Sequence, residues 1–352
     1  MSRPEILLFY DGFELRAVDG FSRVAREQAR RAARFVYKTA RRGQTKTGFY
    51  TAFAMLRTCL EQAGCRVKVN DFAAARRSPA TPIGVLGYSS VLEKLDGLPN
   101  PRLLGPGLFS SPLECPDLFS DPRNVLYLQS SEWVEALFAP WFTNRQRRWF
   151  AGLDLDRIPA NDGTPKPIDV LIYDKIYFDR DAVYDRTIGK FRDLLDRHNL
   201  CHTTVRYGQY YRPDYLRSLR SSRCMAFFSH SETQGIAYQE CLAMNVPVFA
   251  WDEGVWPNPM ARRISDHPIP STSVPYFDER CGRRFTMASM EADWERFLAM
   301  LPQFTPRRFV SSELSAAKSA RLYLQAYSEV GAAHRLGGDT GGRIDQRPAG
   351  IV

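Results

Sequence analysis

Apolar and polar residues alternate in blocks along the chain, and the blocks have two kinds of period. Ile6-Leu7-Leu8-Phe9-Tyr10, between Glu5 and Asp11, reads as a buried first strand. Phe49, Phe53, Leu56, Leu60 and Ala63 recur every three or four residues, the period of an amphipathic helix, and Gly64 supplies its stop. Val67 and Val69 alternate with charges as in a strand. This is a β–loop–α–β opening. Residues 76–123 are rich in Pro and Gly and hold short strands; 124–128 predicts another strand and 131–138 a short helix.

The second half is more regular. Apolar strands are predicted at 168–173, 224–228 and 246–251, with a β-rich stretch at 202–207. Helices are predicted around 188–195, 213–221, 235–244, 289–301 and 311–330. Continuous apolar strands alternating with helices indicate a parallel, doubly wound α/β sheet, whose ligands sit at the carboxyl ends of its strands.

Length adds that 352 residues suit two domains rather than one. Pro159, Gly163, Pro165 and Pro167 mark a linker. The expected division is therefore 1–160, 161–310, a C-terminal helix over 311–330 and a disordered polar tail over 331–352. No apolar run approaches the roughly 20 residues of a membrane span, and no secretory signal is read. Seven scattered cysteines without CxxC spacing point to a reducing cytoplasm. A net charge of +9 (48 basic, 39 acidic residues) favours an anionic partner. Much of it lies in 21–42, where Arg23, Arg26, Arg30, Arg31, Arg34, Lys38, Arg41 and Arg42 are interleaved with Phe21, Val24, Phe35 and Val36. Three readings suit that segment: a solvated helix face, attachment to anionic lipid, or nucleic-acid binding. No stacking platform accompanies the charge, so no nucleic-acid partner is expected.

The candidate chemistry lies in Phe228-Ser-His-Ser-Glu-Thr-Gln-Gly-Ile-Ala-Tyr-Gln-Glu240. It leaves a strand, crosses a polar loop and enters a helix at Gly235. Free N–H groups of Gly235, Ile236 and Ala237 form an anion site at the helix N-terminus, and glycine lets a ligand approach. Glu232 precedes that site and Glu240 lies more than one turn inside the helix. Neither carboxylate binds phosphate, but each can accept hydrogen bonds from sugar hydroxyls. His230, Thr233 and Gln234 share the loop. Asp154-x-Asp156 and Asp179-x-Asp181 offer too few converging ligands for a metal.

This stretch resembles the Glu-x7-Glu motif of retaining GT-B glycosyltransferases, most closely glycosyltransferase family 4. Gly235 falls at the family's glycine, and Ala243-Met-Asn-Val-Pro-Val248 resembles the run that follows, with Asn245 for Gly. Residues 132–158 resemble the interdomain segment, Asp169 to Lys175 stands where the second domain opens, and Gly43 to Gly48 resembles the glycine loop of the first. The resemblance spans about residues 5–330.

It implies two Rossmann-like domains facing a cleft, with an N-terminal acceptor side and a C-terminal nucleotide-sugar side. Glu240 would hold the ribose and Glu232 the transferred sugar, and His230, facing the cleft, would be a catalytic-site candidate in contact with sugar or phosphate. Lys175, with Lys46 and the backbone near Gly48, would face the diphosphate. It further implies transfer with retention, no catalytic metal and no cofactor, the nucleotide-sugar being a substrate. The acceptor would be a glycan, a lipid-linked sugar or another glycoconjugate, as in polysaccharide synthesis. The enzyme would be cytoplasmic, including a peripheral place on the cytoplasmic face of the inner membrane. A sugar-nucleotide epimerase on the same fold and a non-catalytic basic binding protein are the alternatives.

Overall fold

A computed structural model describes residues 3–41, 45–160, 163 and 165–339. The first six strands are β1 (Glu5–Asp11), β2 (Arg66–Val69), β3 (Ile83–Gly87), β4 (Arg102–Leu104), β5 (Asn124–Gln129) and β6 (Gln146–Arg148). They form one sheet in the order β2-β1-β3-β4-β5-β6, every pair parallel. Helices α1 (Phe21–Ala40), α2 (Gly48–Gln62), α3 (Phe72–Arg77), α4 (Val91–Lys94) and α5 (Glu132–Phe138) accompany them.

The second sheet holds β7 (Ile168–Lys175), β8 (His202–Arg206), β9 (Ser222–Ser229), β10 (Val248–Trp251) and β11 (Gly282–Phe285). Its order is β11-β10-β9-β7-β8, again parallel throughout. Helices α6 (Arg180–Tyr184), α7 (Lys190–Arg197), α8 (Arg212–Arg220), α9 (Ile236–Ala243), α10 (Ala261–Ile264) and α11 (Met290–Met300) belong to this half. The chain ends in α12 (Pro306–Glu313) and α13 (Ala316–Asp339). The expected α/β architecture of two doubly wound sheets is what the chain adopts.

Each central strand feeds two cores because successive side chains leave opposite faces. Ile6, Leu8 and Tyr10 pack with Phe53 and Leu56 of α2, while Leu7 and Phe9 pack with Phe72 of α3 and Phe138 of α5. In β9, Met225 and Phe227 join Tyr238 of α9, while Ala226 and Phe228 join Phe191 of α7. A strand buried on both sides has no polar alternation, which is why these strands read as continuous apolar runs.

The helix expected over 311–330 is two helices. The chain turns at Leu314 and Ser315, where Leu153 N donates to the Leu314 carbonyl (2.9 Å) and Ala316 N to the Leu153 carbonyl (3.1 Å). α13 then runs on to Asp339, through residues assigned above to the disordered tail. Residues 340–352 lie outside the described residues. α13 packs on the first sheet through Tyr323, Ala326 and Val330, and Arg147 and Glu329 form an ion pair. The chain therefore crosses between the sheets twice, outward at 149–167 and back at 304–318.

Direct contacts hold the halves together. Trp133 Nε1 donates to the Glu232 carbonyl (2.7 Å) and Tyr276 Oη to the Ser130 carbonyl (2.6 Å). Trp256 inserts into the first core beside Trp133. All seven cysteines are free thiols, and Cys201 alone of them is exposed. No helix among the described residues is long and apolar enough to cross a membrane.

Candidate functional site

Lys175 ends β7 and Ser229 ends the adjacent β9, in register with one another. The carboxyl ends of these strands thus set a cation beside the loop that carries Glu232. Lys175 Nζ lies 2.6 Å from Glu232 Oε1 and 2.7 Å from Oε2, and Ser229 Oγ donates to Oε1 at 3.0 Å. Glu232 is buried (6 % exposed). Three of the roughly four lone-pair positions of a carboxylate are taken. Its backbone is fixed as well, by Trp133 and by the bond from Glu232 N to the Thr272 carbonyl (2.9 Å). Lys175 Nζ also sits 4.7 Å from the ring centre of Tyr207 and 5.8 Å from that of Tyr177, two rings in edge contact. Tyr177 is 55 % exposed; partial desolvation, with Tyr207 and Glu232 adding, raises its phenol above the ordinary range.

Gly235 enters α9 in the left-handed conformation (φ +81°). A Cβ there would lie 2.1 Å from the buried Tyr238 ring, so glycine is required by backbone and packing together. α9 has no side-chain cap and no acidic residue in its first turn. Its first N–H groups, at Ile236 and Ala237, lack acceptors within the helix and carry the positive end of its dipole. Ile236 packs against the first-sheet core that includes Phe53 of α2 and touches Tyr50, so α9 begins at the junction of the two halves.

Glu240 is 9 % exposed and paired with Arg212, the first residue of α8. Arg157, Arg212, Arg220 and Glu240 line a pocket of about 80 Å³. It is much smaller than the roughly 300–1,000 Å³ of ligand sites, so a nucleotide here would lie mostly in the open cleft. A larger cavity of about 620 Å³ lies elsewhere, lined by Arg148, Phe150, Tyr276, Phe309 and Lys318 among others. Its cations are neutralised by neighbours: Arg148 by Glu135, Arg280 by Asp278, Lys318 by Glu313.

The remaining expected residues fall in different places. The His230 ring leans on Trp251 (5.2 Å) and Phe178 (5.8 Å). Its Nδ1 is buried without a hydrogen-bond partner among the described residues. Burial, with Arg186 adding, lowers its pKa and favours the neutral ring. Gln234 is buried and exchanges hydrogen bonds with the backbone of Ala151 (2.9 and 3.0 Å), so its amide joins the halves. Thr233 is exposed. Gly48 opens α2, capped by Thr47 Oγ1, and stands in open space. Lys46 is exposed, 6.0 Å from the Tyr50 ring centre. Gly43 lies outside the described residues.

Sequence reasoning missed Arg212 and Tyr207. Both follow the carboxyl end of β8, where topology alone would have pointed. Across the cleft it missed Tyr88 at the end of β3, whose phenol is raised by burial, with Glu14 and Tyr207 adding. Among the described residues no three His, Cys, Asp or Glu side chains converge as a metal site would require.

Neither a protein-family model nor a curated protein sequence matches the chain. Its similarity to solved structures is one of shape. Sucrose-phosphate synthase from Thermosynechococcus elongatus superposes with a TM-score of 0.54 at 13% identity, covering 94% of this chain and 100% of that one. A glycosyltransferase from Rickettsia africae ESF-5 gives 0.52 at 10% identity over 94% and 99% of the two chains. AviGT4, a glycosyltransferase involved in avilamycin A biosynthesis, gives 0.51 at 13% over 94% and 98%. The two parallel sheets of six and five strands with flanking helices match the GT-B glycosyltransferase fold of these structures.

Proposed function

We propose that the protein is a glycosyltransferase that moves a sugar from a nucleoside-diphosphate sugar to a glycan, lipid-linked or other glycoconjugate acceptor, with retention and without a catalytic metal. The observation that carries this reading is the buried Lys175–Glu232 pair beside the start of α9. The fold shared with AviGT4 and the Rickettsia enzyme supports it.

The donor diphosphate would meet the N–H groups of Ile236 and Ala237. Lys175, now shared with Glu232, would turn toward the phosphate oxygens as charge develops there. Stabilising that charge in a preorganised, poorly hydrated site is the main contribution asked of the protein. Glu232, freed of one donor, would accept from hydroxyls of the transferred sugar. Glu240, held by Arg212, would accept from the ribose. The bond from the anomeric carbon to the phosphate oxygen breaks, and a bond from that carbon to the acceptor oxygen forms on the same face. The acceptor proton passes to the departing phosphate.

A donor-turnover assay over UDP-, GDP- and ADP-sugars tests this. Wild type should release nucleoside diphosphate from one donor class, and Glu232→Gln should be slower by about 100-fold or more, the scale on which one preorganised polar group acts. Equal turnover by Glu232→Gln would remove that residue from the site.

A further inference from the structure

Helix α1 is attached to the protein by its charged side. Glu27, Arg30 and Arg34 recur at helical spacing and share one face. Glu27 is 7 % exposed; it accepts from Arg16 N at 3.0 Å and from Arg30 at 2.6 Å. Arg30 also donates to the Phe13 carbonyl and Arg34 to the Thr45 carbonyl, each at 2.9 Å. With 3.6 residues per turn, the opposite face carries Phe21, Val24, Ala25, Ala32, Phe35 and Val36, with the polar Gln28 among them. Phe21 is 92 % exposed, Phe35 61 % and Val36 66 %. Glu27 is the only buried residue of this helix. A surface helix ordinarily turns its apolar stripe to the core; α1 turns its stripe to the outside.

Exposed Arg31 borders the stripe on one flank and exposed Arg26 lies on the other. Phe13, whose carbonyl Arg30 holds, is itself exposed. Its ring packs on Tyr88 (5.4 Å), and exposed Phe49 packs on Tyr88 from another side (5.9 Å). Aromatic surface thus continues from the base of α1 to Tyr88, at the carboxyl end of β3.

We infer that α1 docks the protein on an anionic lipid bilayer. The apolar stripe would sink to the boundary between headgroups and acyl chains, with the flanking cations at the level of the lipid phosphates. The net charge of +9 has the complementary sign. Nucleic acid would use the cations but leave the stripe in water. A second copy would set one cationic flank against another. Attachment of this kind lies on the membrane rather than across it. That docking would present a lipid-linked acceptor to the cleft rests on the transfer reading above; the docking itself does not.

Flotation of the full chain with phosphatidylcholine vesicles, with and without phosphatidylglycerol, is the test. The chain should float with the anionic vesicles, and salt should reduce the bound fraction. The triple variant Phe21→Ser, Phe35→Ser, Val36→Ser should bind at least about tenfold more weakly, because the inserted apolar area is lost, with unchanged melting and nucleotide binding. The double variant Arg26→Gln, Arg31→Gln should weaken the preference for phosphatidylglycerol by at least about threefold. Flotation of the triple apolar variant equal to wild type would overturn the proposal. So would a wild-type chain that ignores vesicles and instead dimerises through α1 or binds single-stranded nucleic acid.

Discussion

Glu232 is a carboxylate taken out of water, and its neighbours make that tolerable. Lys175 supplies the opposite charge and Ser229 a further donor. Removing one partner of such a pair strands the other, which costs more than the pair itself contributes. Lys175→Met should therefore lower stability by about 3 kcal/mol, read as a shift of the urea midpoint at constant slope. The double variant Lys175→Met, Glu232→Gln should recover most of that loss, since no buried charge is left. An unmoved midpoint in the single variant would mean that Glu232 finds water instead. The two members of this site were legible in the sequence as separate candidates, one from each strand end. Their pairing was not, because 57 residues separate them and only the β7–β9 register brings them together. Arg212 was hidden for a similar reason: it stands 28 residues before Glu240, at the start of another helix.

At the scale of elements, α9 shows a motif glycine with two physical duties. The sequence argument for Gly235 was close approach of a ligand. The structure adds a left-handed entry into the helix and a tyrosine ring where a side chain would stand. Gly235→Ala should cost about 1–3 kcal/mol, the range for a non-glycine residue held in a strained backbone region. It should also weaken nucleotide binding by displacing the first turn of α9; binding and melting at wild-type levels would contradict this. Asn245 stands in the left-handed conformation (φ +61°) just after α9, the substitution for glycine that its short amide makes tolerable. Strands β1 and β9 were legible because both of their faces are buried. β4 and β6 were not. β4 starts with Arg102, 1 % exposed, whose guanidinium donates to the Leu95 carbonyl at 2.9 Å. β6 is Gln-Arg-Arg at the sheet edge. β4, with Leu103 and Leu104 buried after Arg102, is too short to show a period, and edge exposure sets the polarity of β6. Helical spacing in α1 was plain from the sequence, but periodicity shows only that two faces differ; which of them meets the protein depends on Glu14, Phe13 and Thr45, which no period encodes.

The whole molecule is two parallel sheets tied by two crossings of the chain. The crossings touch at Leu153 and Leu314, and Gly152 is packed so closely that a Cβ would lie 2.6 Å from that of Ser319. Gln234 reaches from the site loop to Ala151, beside that junction. The loop that carries Glu232 is thereby anchored to both halves. The Pro-rich stretch marked a linker in the sequence, but the return of α13 to the first sheet was invisible there, because an amphipathic helix does not name its partner.

On the proposed function, the cleft binds a nucleoside diphosphate through Glu240 and the start of α9. Calorimetric titration of UDP, GDP and ADP, without added metal, into wild type and Glu240→Ala tests it most directly. One nucleotide should bind, and Glu240→Ala should lose about 1.5–3 kcal/mol of binding, the worth of hydrogen bonds to a charged acceptor. Binding of none of the three, or equal binding by the variant, would contradict it.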